Sequence, residues 1–200
     1  IGSLARVTSP GFRETYQYDA LGRPGTVTTT AVSTSFVTRQ SYDAATGAAD
    51  ILTYPGSTGT TPLRVRHHYD RGRLVRLSDA DSGSTYWQLN AVNSRGLATD
   101  ESLGNGVRTL SHYDTITGRL LGRTSGPGGG SAHQNLAYAW DPTGNLVRRE
   151  ERTLGVDEQF TYDDRDRLDH VQRAGVPVLD LEYDAVGNLT ETIDANGQHV

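Results

Sequence analysis

Six histidines and a dense run of aspartates are the residues whose types could do chemistry in this 200-residue chain. His67 and His68 invite a metal ion, but adjacent strand residues face opposite ways and cannot share one without a bulge. His68 and His112 stand in a polar column with Gln17 and Glu182, and His170 shares one with Arg148 and Glu191, so all three are expected to face solvent. The stretch YDDRDRLDH (162–170) carries four aspartates, and a glycosidase needs two carboxylates at a fixed separation. Asp163 and Asp166, however, fill positions that recur along the whole chain, and the other two lie in the same arginine-containing run. DADSG (79–83) and DANGQ (194–198) hold calcium-type acids, yet neither continues into a loop with glycine at position six and glutamate at twelve. DANG is the stronger signal for a hairpin turn. Cysteine is absent, no Gly-x-Ser-x-Gly elbow occurs, and GPGGG (126–130) lacks the lysine of a phosphate-binding loop. The residue types predict no catalytic, cofactor or metal site.

What does recur is an aromatic residue, an acid, a short gap and a glycine. The acid or amide stands at Asp19, Asp43, Asp70, Asn93, Asp114, Asp141, Asp163 and Asp184, at intervals of 21 to 27 residues. The closing glycine follows at Gly22, Gly47, Gly72, Gly96, Gly118, Gly144 and Gly187, with Asp166 in its place in the seventh unit. One residue before the anchor stand Tyr18, Tyr42, Tyr69, Val92, Tyr113, Trp140, Tyr162 and Tyr183. Three before it, half of the residues are large and apolar; the position between is never so. This period of two predicts a strand with one buried face, and no 3.6-residue helical period persists. Two residues past the glycine lies a second apolar column (Pro24, Ala49, Leu74, Ala98, Leu120, Leu146, Leu168, Leu189), followed two further on by mostly polar residues. Each unit reads as strand, turn, strand, joined to the next by variable tips such as YPGSTGTTP (54–62), TSGPGGGS (124–131) and RAGVP (173–177).

The motif has a folding explanation. Asp and Asn accept hydrogen bonds from backbone N–H groups two residues on, closing an Asx-turn. Glycine supplies the positive φ of a tight reversal. The aromatic ring covers the turn and keeps a polar edge for a hydrogen bond. Equivalent rings in successive units would stand two strand spacings apart, about 9–10 Å, with room for one residue between.

Leu, Ile, Val and Phe number 41, just above the one-fifth level at which disorder becomes the default, and the net charge is only −5. A folded protein with a thin hydrophobic layer fits these totals. All nineteen basic residues are arginine, scattered among acids, which argues against a nucleic-acid-binding face. No apolar run approaches the roughly 20 residues that span a bilayer, and no signal peptide is visible. The chain begins Ile1-Gly2-Ser3 rather than with Met and reads as an excerpt of a longer, GC-rich bacterial gene product.

With these columns in place, YDALGR (18–23), YDTITGRL (113–120) and YDAVGNL (183–189) resemble the YD repeats of bacterial Rhs proteins. Similar repeats occur in the C components of insecticidal toxin complexes, wall-associated bacterial proteins and animal teneurins. The resemblance runs from about Thr15 to Gly197, and YWQLNAVNSRGLATDESLGNGV (86–107) is similar to a diverged unit with an LGNG turn. It implies an all-β fold in which consecutive antiparallel hairpins form a curved, spiralling sheet, a segment of a hollow β shell. Residues 1–200 would be one continuous array of about eight repeats. The implied function is that of a non-catalytic wall that encapsulates and helps deliver the protein's own C-terminal toxin domain, secreted or delivered to a cell surface. Implied partners are that toxin domain, flanking repeats and a secretion-system component, with no cofactor, no nucleic acid and no membrane span. Open edges and one apolar face make self-association of the segment an expectation. Asp141-Pro142 sits in an ordinary repeat column, so self-cleavage is not carried onto it. The alternative is an extracellular module binding carbohydrate or a cell-surface partner. Tyr86 and Trp87 would be its exposed aromatics, because the motif aromatics fall in the buried columns.

Overall fold

The computed structural model describes residues 2–56, 60–194 and 196–198, so residues 57–59 of the first long tip and Ala195 of DANGQ lie outside the described residues. Seventeen strands and no helix are found among them. In order these are β1 (Arg6–Ser9), β2 (Phe12–Tyr18), β3 (Pro24–Ala31), β4 (Thr34–Tyr42), β5 (Ala49–Thr53), β6 (Arg64–Asp70), β7 (Arg73–Asp79), β8 (Thr85–Val92) and β9 (Ala98–Leu103). There follow β10 (Val107–Tyr113), β11 (Leu120–Pro127), β12 (Gln134–Trp140), β13 (Leu146–Glu151), β14 (Val156–Tyr162), β15 (Leu168–Arg173), β16 (Val176–Tyr183) and β17 (Leu189–Asp194). The chain divides into two compact units, residues 1–89 with 103–105, and residues 90–102 with 106–200. In the first, β1 to β8 pair each with the next, always antiparallel. In the second, β9 to β17 do the same. The fold is all β, a run of consecutive antiparallel hairpins.

Six of the eight motif hairpins carry the same irregularity. The register shifts by one residue just before the aromatic, between Gln17 and Tyr18, His68 and Tyr69, His112 and Tyr113, Ala139 and Trp140, Thr161 and Tyr162, and Glu182 and Tyr183. Tyr18 thus pairs with Pro24, whereas Gln17 pairs with Thr26, leaving Gly25 as the extra residue. A β-bulge of this kind bends its strand and increases the local twist. It also explains why the sequence columns two and four past the glycine differ in character. Without the bulge they would share a face; with it, the first lies opposite the aromatic and the second on the other side.

The fourth unit breaks the pattern. Asn90 donates to Asp100 and Ser102, and Asp100 pairs with Leu110 in β10, on the face opposite Ser111 and Tyr113. Val92, two residues from Asn90, therefore does not continue the aromatic column in which the alignment set it. The LGNG turn that follows is tight for a steric reason. A Cβ on Gly104 would lie 2.0 Å from the carbonyl oxygen of Thr85.

Burial is sparse. Among the described residues Val171, held between Phe160 and Leu179 in the ladder, is the one buried hydrophobic side chain; Ser78, Ser111 and Glu158 are the buried polar ones. The hydrophobic layer is thin, and the motif aromatics are half-buried rather than buried, with Tyr69 exposed. Glu158 is satisfied by arginines on both neighbouring strands, Arg149 and Arg173.

The β3–β4 tip stores strain. Val32 has φ 56° and is 89% exposed, and a β-branched residue is a genuine outlier in the left-handed region. Val32→Asn should relieve it, because Asn tolerates that region, and should raise the melting temperature by about 2–4 °C, the equivalent of ~1 kcal/mol in a domain of this size. Calorimetry would check this; an unchanged or lower midpoint would show that the valine is not strained.

Candidate functional site

The repeated turn is the one constellation present many times over, and its geometry follows from the acid. In the commonest form the side-chain oxygen of the anchor accepts two backbone N–H groups, two and four residues on. Asp19 accepts from Leu21 and Arg23 at 2.9 Å each, Asn93 from Arg95 and Leu97 at 3.0 Å, Asp163 from Arg165 and Arg167, and Asp184 from Val186 and Asn188. Asp141 takes Gly144 at 2.7 Å and Asn145 at 2.8 Å. Asp43 and Asp114 open turns one residue longer, where Thr46 and Thr117 each donate both N–H and hydroxyl to the carboxylate. Asp70 departs from both forms. Its turn is the two-residue Arg71-Gly72 reversal, both at positive φ, and among the described residues its carboxylate caps no backbone N–H. The closing position is left-handed in every unit, including Asp166 at φ 58°. The two stretches weighed for calcium are further examples. Asp79 caps Asp81 and Ser82, and Asp194 caps Asn196 and Gln198.

The aromatic residues tie one turn to the one before it. Tyr42 donates its hydroxyl to the carbonyl of Pro24 at 2.9 Å, Trp140 its indole N–H to Leu120 at 2.8 Å, Tyr162 to Leu146 at 2.9 Å and Tyr183 to Leu168 at 3.0 Å. Every acceptor is the residue two past the closing position of the preceding unit. Tyr18 makes the same bond to Leu4, which stands two beyond Gly2.

A second tie runs the opposite way through a column that the Tyr, Asp and Gly positions do not reveal, the residue directly after the glycine. Arg23 bonds its own Asp19 at 2.7 Å, reaches forward to the carbonyl of Gly47 and lies 4.1 Å over the ring of Tyr42. Arg167 repeats all three contacts, with Asp163, the carbonyl of Asp184 and the ring of Tyr183 at 4.3 Å. Arg119 reaches the carbonyl of Asp141, and a Cβ on Gly144 would come within 2.5 Å of its guanidinium, so that glycine also makes room for the neighbour. Asn145 reaches forward to Asp166 instead. The signal was legible: the position reads Arg23, Arg73, Arg119, Asn145, Arg167 and Asn188 in six of eight units. At Arg23 and Arg167 the one residue expected between successive rings is thus a guanidinium.

The remaining polar candidates are dispersed. His112 and His170 are exposed, the latter between Asp169 and Asp180; His68 is not, being half-buried on Ser78. Asn93, Tyr113 and Asp114 line one cleft of about 310 Å³ with Arg95 and His112, but the turn amides already hold the Asp114 carboxylate. Tyr86 is exposed with its hydroxyl on Asp79, and Trp87 is half-buried. Among the described residues no three of His, Cys, Asp or Glu gather as a metal would require.

The caps are strongly ionised. The Arg167 side chain and N–H hold Asp163 at about 2. The N–H of Ser82 and the hydroxyl of Tyr86 do the same for Asp79. Partial desolvation raises Asp141, but donors from Asn145, Thr143 and Gly144 outweigh it and bring it also to about 2.

No protein-family model matches the chain, and no curated protein sequence does. Solved structures do. The structure titled TcdB2-TccC3 without hypervariable C-terminal region matches over 95% of this chain at TM-score 0.51 and 16% identity; those titled TcdB2-TccC3-Cdc42 and TcdB2-TccC3 match at 0.50, also at 16% identity, over 95% and 96%. The chain shares their fold. It spans 12% of each of those chains. The likeness to these structures runs along nearly the whole backbone of this chain, in which it is the turn that is copied from unit to unit.

Tyr162→Phe should remove one inter-repeat bond and cost about 1 kcal/mol, read as a lower denaturation midpoint at unchanged slope; no loss would show the bond to Leu146 to be dispensable. The caps predict acid sensitivity as well. Their folded values lie below the unfolded range near 4, so their contribution is complete above about pH 4 and is lost as pH falls toward 2. Thermal scans should show the melting temperature falling across that window; a flat profile from pH 4 to 2 would contradict it.

Proposed function

We propose that this chain is a structural, non-catalytic wall segment of a YD-repeat shell. The observation that carries the reading is where the repeated polar atoms go. Six of the seven motif carboxylates, all but Asp70, accept the chain's own turn amides, and the hydroxyls of Tyr18, Tyr42, Tyr162 and Tyr183 and the guanidiniums of Arg23, Arg119 and Arg167 reach the chain's own carbonyls. A motif repeated for catalysis or ligand binding would leave some of these groups facing outward. The fold shared with TcdB2-TccC3 supports the reading, as does one title's mention of a hypervariable C-terminal region in that protein. By that likeness the wall belongs to a bacterial toxin delivered outside the cell, and it encloses the protein's own C-terminal toxin domain with the help of flanking repeats.

Limited proteolysis of the full-length protein tests this. The segment following the repeats should stay uncut in native protein and become cleavable when two adjacent caps are removed together (Asp141→Ala with Asp163→Ala). Equal cleavage in native and cap-less protein would overturn encapsulation. Loss of a measurable activity in either single variant at unchanged melting temperature would overturn the non-catalytic role.

A further inference from the structure

The hairpin of the third repeat contains a histidine whose contacts require it to be uncharged. His68 on β6 places Nε2 2.8 Å from the hydroxyl of Ser78 on β7, and Ser78 is only 2% exposed. Its other nitrogen, Nδ1, faces the guanidinium of Arg76, directly across the ladder, at 3.4 Å. Arginine is always a donor, so Nδ1 must be the acceptor, and the ring's single proton sits on Nε2 and points at Ser78. This arrangement excludes the nucleophile reading of a Ser–His pair. A general base would need a free Nε2 lone pair toward the hydroxyl and a carboxylate on Nδ1, and here both are reversed.

The same arrangement has another consequence. We infer that His68 is an acid-sensitive clasp on the β6–β7 hairpin, closed while the imidazole is neutral and opened when it takes a second proton. A proton on Nδ1 would oppose the Arg76 guanidinium with a second cation and end that hydrogen bond. The surroundings offer little compensation. From β6, Arg66 shares the same face and adds positive charge, and His67 bonds the backbone carbonyl of Asp50 from the other. From β5, the Asp50 carboxylate is the nearest acid, and it already meets Arg66 at 3.5 Å. Asp43, on the turn before β5, lines the same cleft with its carboxylate committed to Ala45 and Thr46. From β7, Arg76 and the neutral Ser78 complete the set. Desolvation, then Arg76 and Arg66, hold the imidazole below its ordinary value. The unfolded chain therefore takes up the proton first, and the hairpin loses stability as pH drops below about 6.5. That window lies above the one in which the aspartate caps fail, so the two are separable.

Hydrogen exchange of the full chain, followed by mass spectrometry and corrected for intrinsic exchange, tests the clasp. Peptides within 64–79 should exchange severalfold faster at pH 5.5 than at pH 7.5. His68→Gln keeps a donor for Ser78 and an acceptor for Arg76 without a titrating group, and should abolish that difference. Arg76→Gln removes the opposing charge and should reduce it, which covers the case in which His68→Gln fails to fold. His170→Gln should leave it intact. A pH difference that persists undiminished in both His68→Gln and Arg76→Gln, or none in the parent chain, would overturn the inference.

Discussion

A carboxylate oxygen accepting backbone N–H groups at a chain reversal is the interaction on which this structure depends. A bare reversal leaves amide donors without partners, and unpaired polar groups are costly wherever water is excluded. The anchor satisfies two at once and, in doing so, fixes where the second strand starts. At the capped turns a bulge follows that start point, and the aromatic's polar edge meets a carbonyl of the preceding unit at one constant position. Remove the acid and the later contacts lose their geometry together. Asp70 shows the alternative. Its reversal is held by two left-handed residues instead of a cap, and its tyrosine is the most exposed motif aromatic.

The ties between turns convert hairpins into an array. With a single hydrophobic side chain buried among the described residues, no central core can hold distant strands together. What remains is ladder hydrogen bonding and contact between each unit and the next, so stability is close to a sum of local and nearest-neighbour parts, as in other repeat proteins. The tyrosine reaches backward and the arginine forward, so an interior turn is gripped from both sides. The guanidinium-over-ring contacts at Tyr42 and Tyr183 join the two systems in one stack. The tips lie outside these motif ties, and their length varies from unit to unit.

Much of this was legible in the residue order. Alternation gave strands, and the Asp-to-Gly gap gave the turn and the unit length. What stayed hidden was the relation between units. A bulge adds one residue without any residue type that announces it; Gly25, Leu121 and Asp169 occupy equivalent places with nothing in common. The fourth unit misled for the same reason, since Val92 has the right spacing but a face set two residues earlier by Asn90, which bonds Asp100, and not by its distance from Asn93. His68 was read as exposed because its column is polar. It is half-buried with Nε2 on Ser78 of the neighbouring strand, a small residue that a pattern based on hydrophobicity passes over. The arginine column was visible yet easy to discount, because surface arginine is the bland expectation in a chain with no lysine.

The arginine column also bears on why the repeated unit tolerates substitution unevenly. A residue whose contacts lie within its own turn can change if a substitute closes that turn, as Asn93 does for Asp. A residue that contacts its neighbour can change only if the neighbour accepts the change. Asn145 illustrates this: it replaces arginine, and the next unit carries Asp166 in place of glycine, with a carboxylate at the position Asn145 reaches. The pair departs from the pattern on both sides at once. Asp166 bears the strain of a left-handed backbone that glycine would avoid, and the bond from Asn145 is what it gains. The Asn145–Asp166 departure is therefore better understood as a coupled exchange between adjacent turns than as decay of a single repeat.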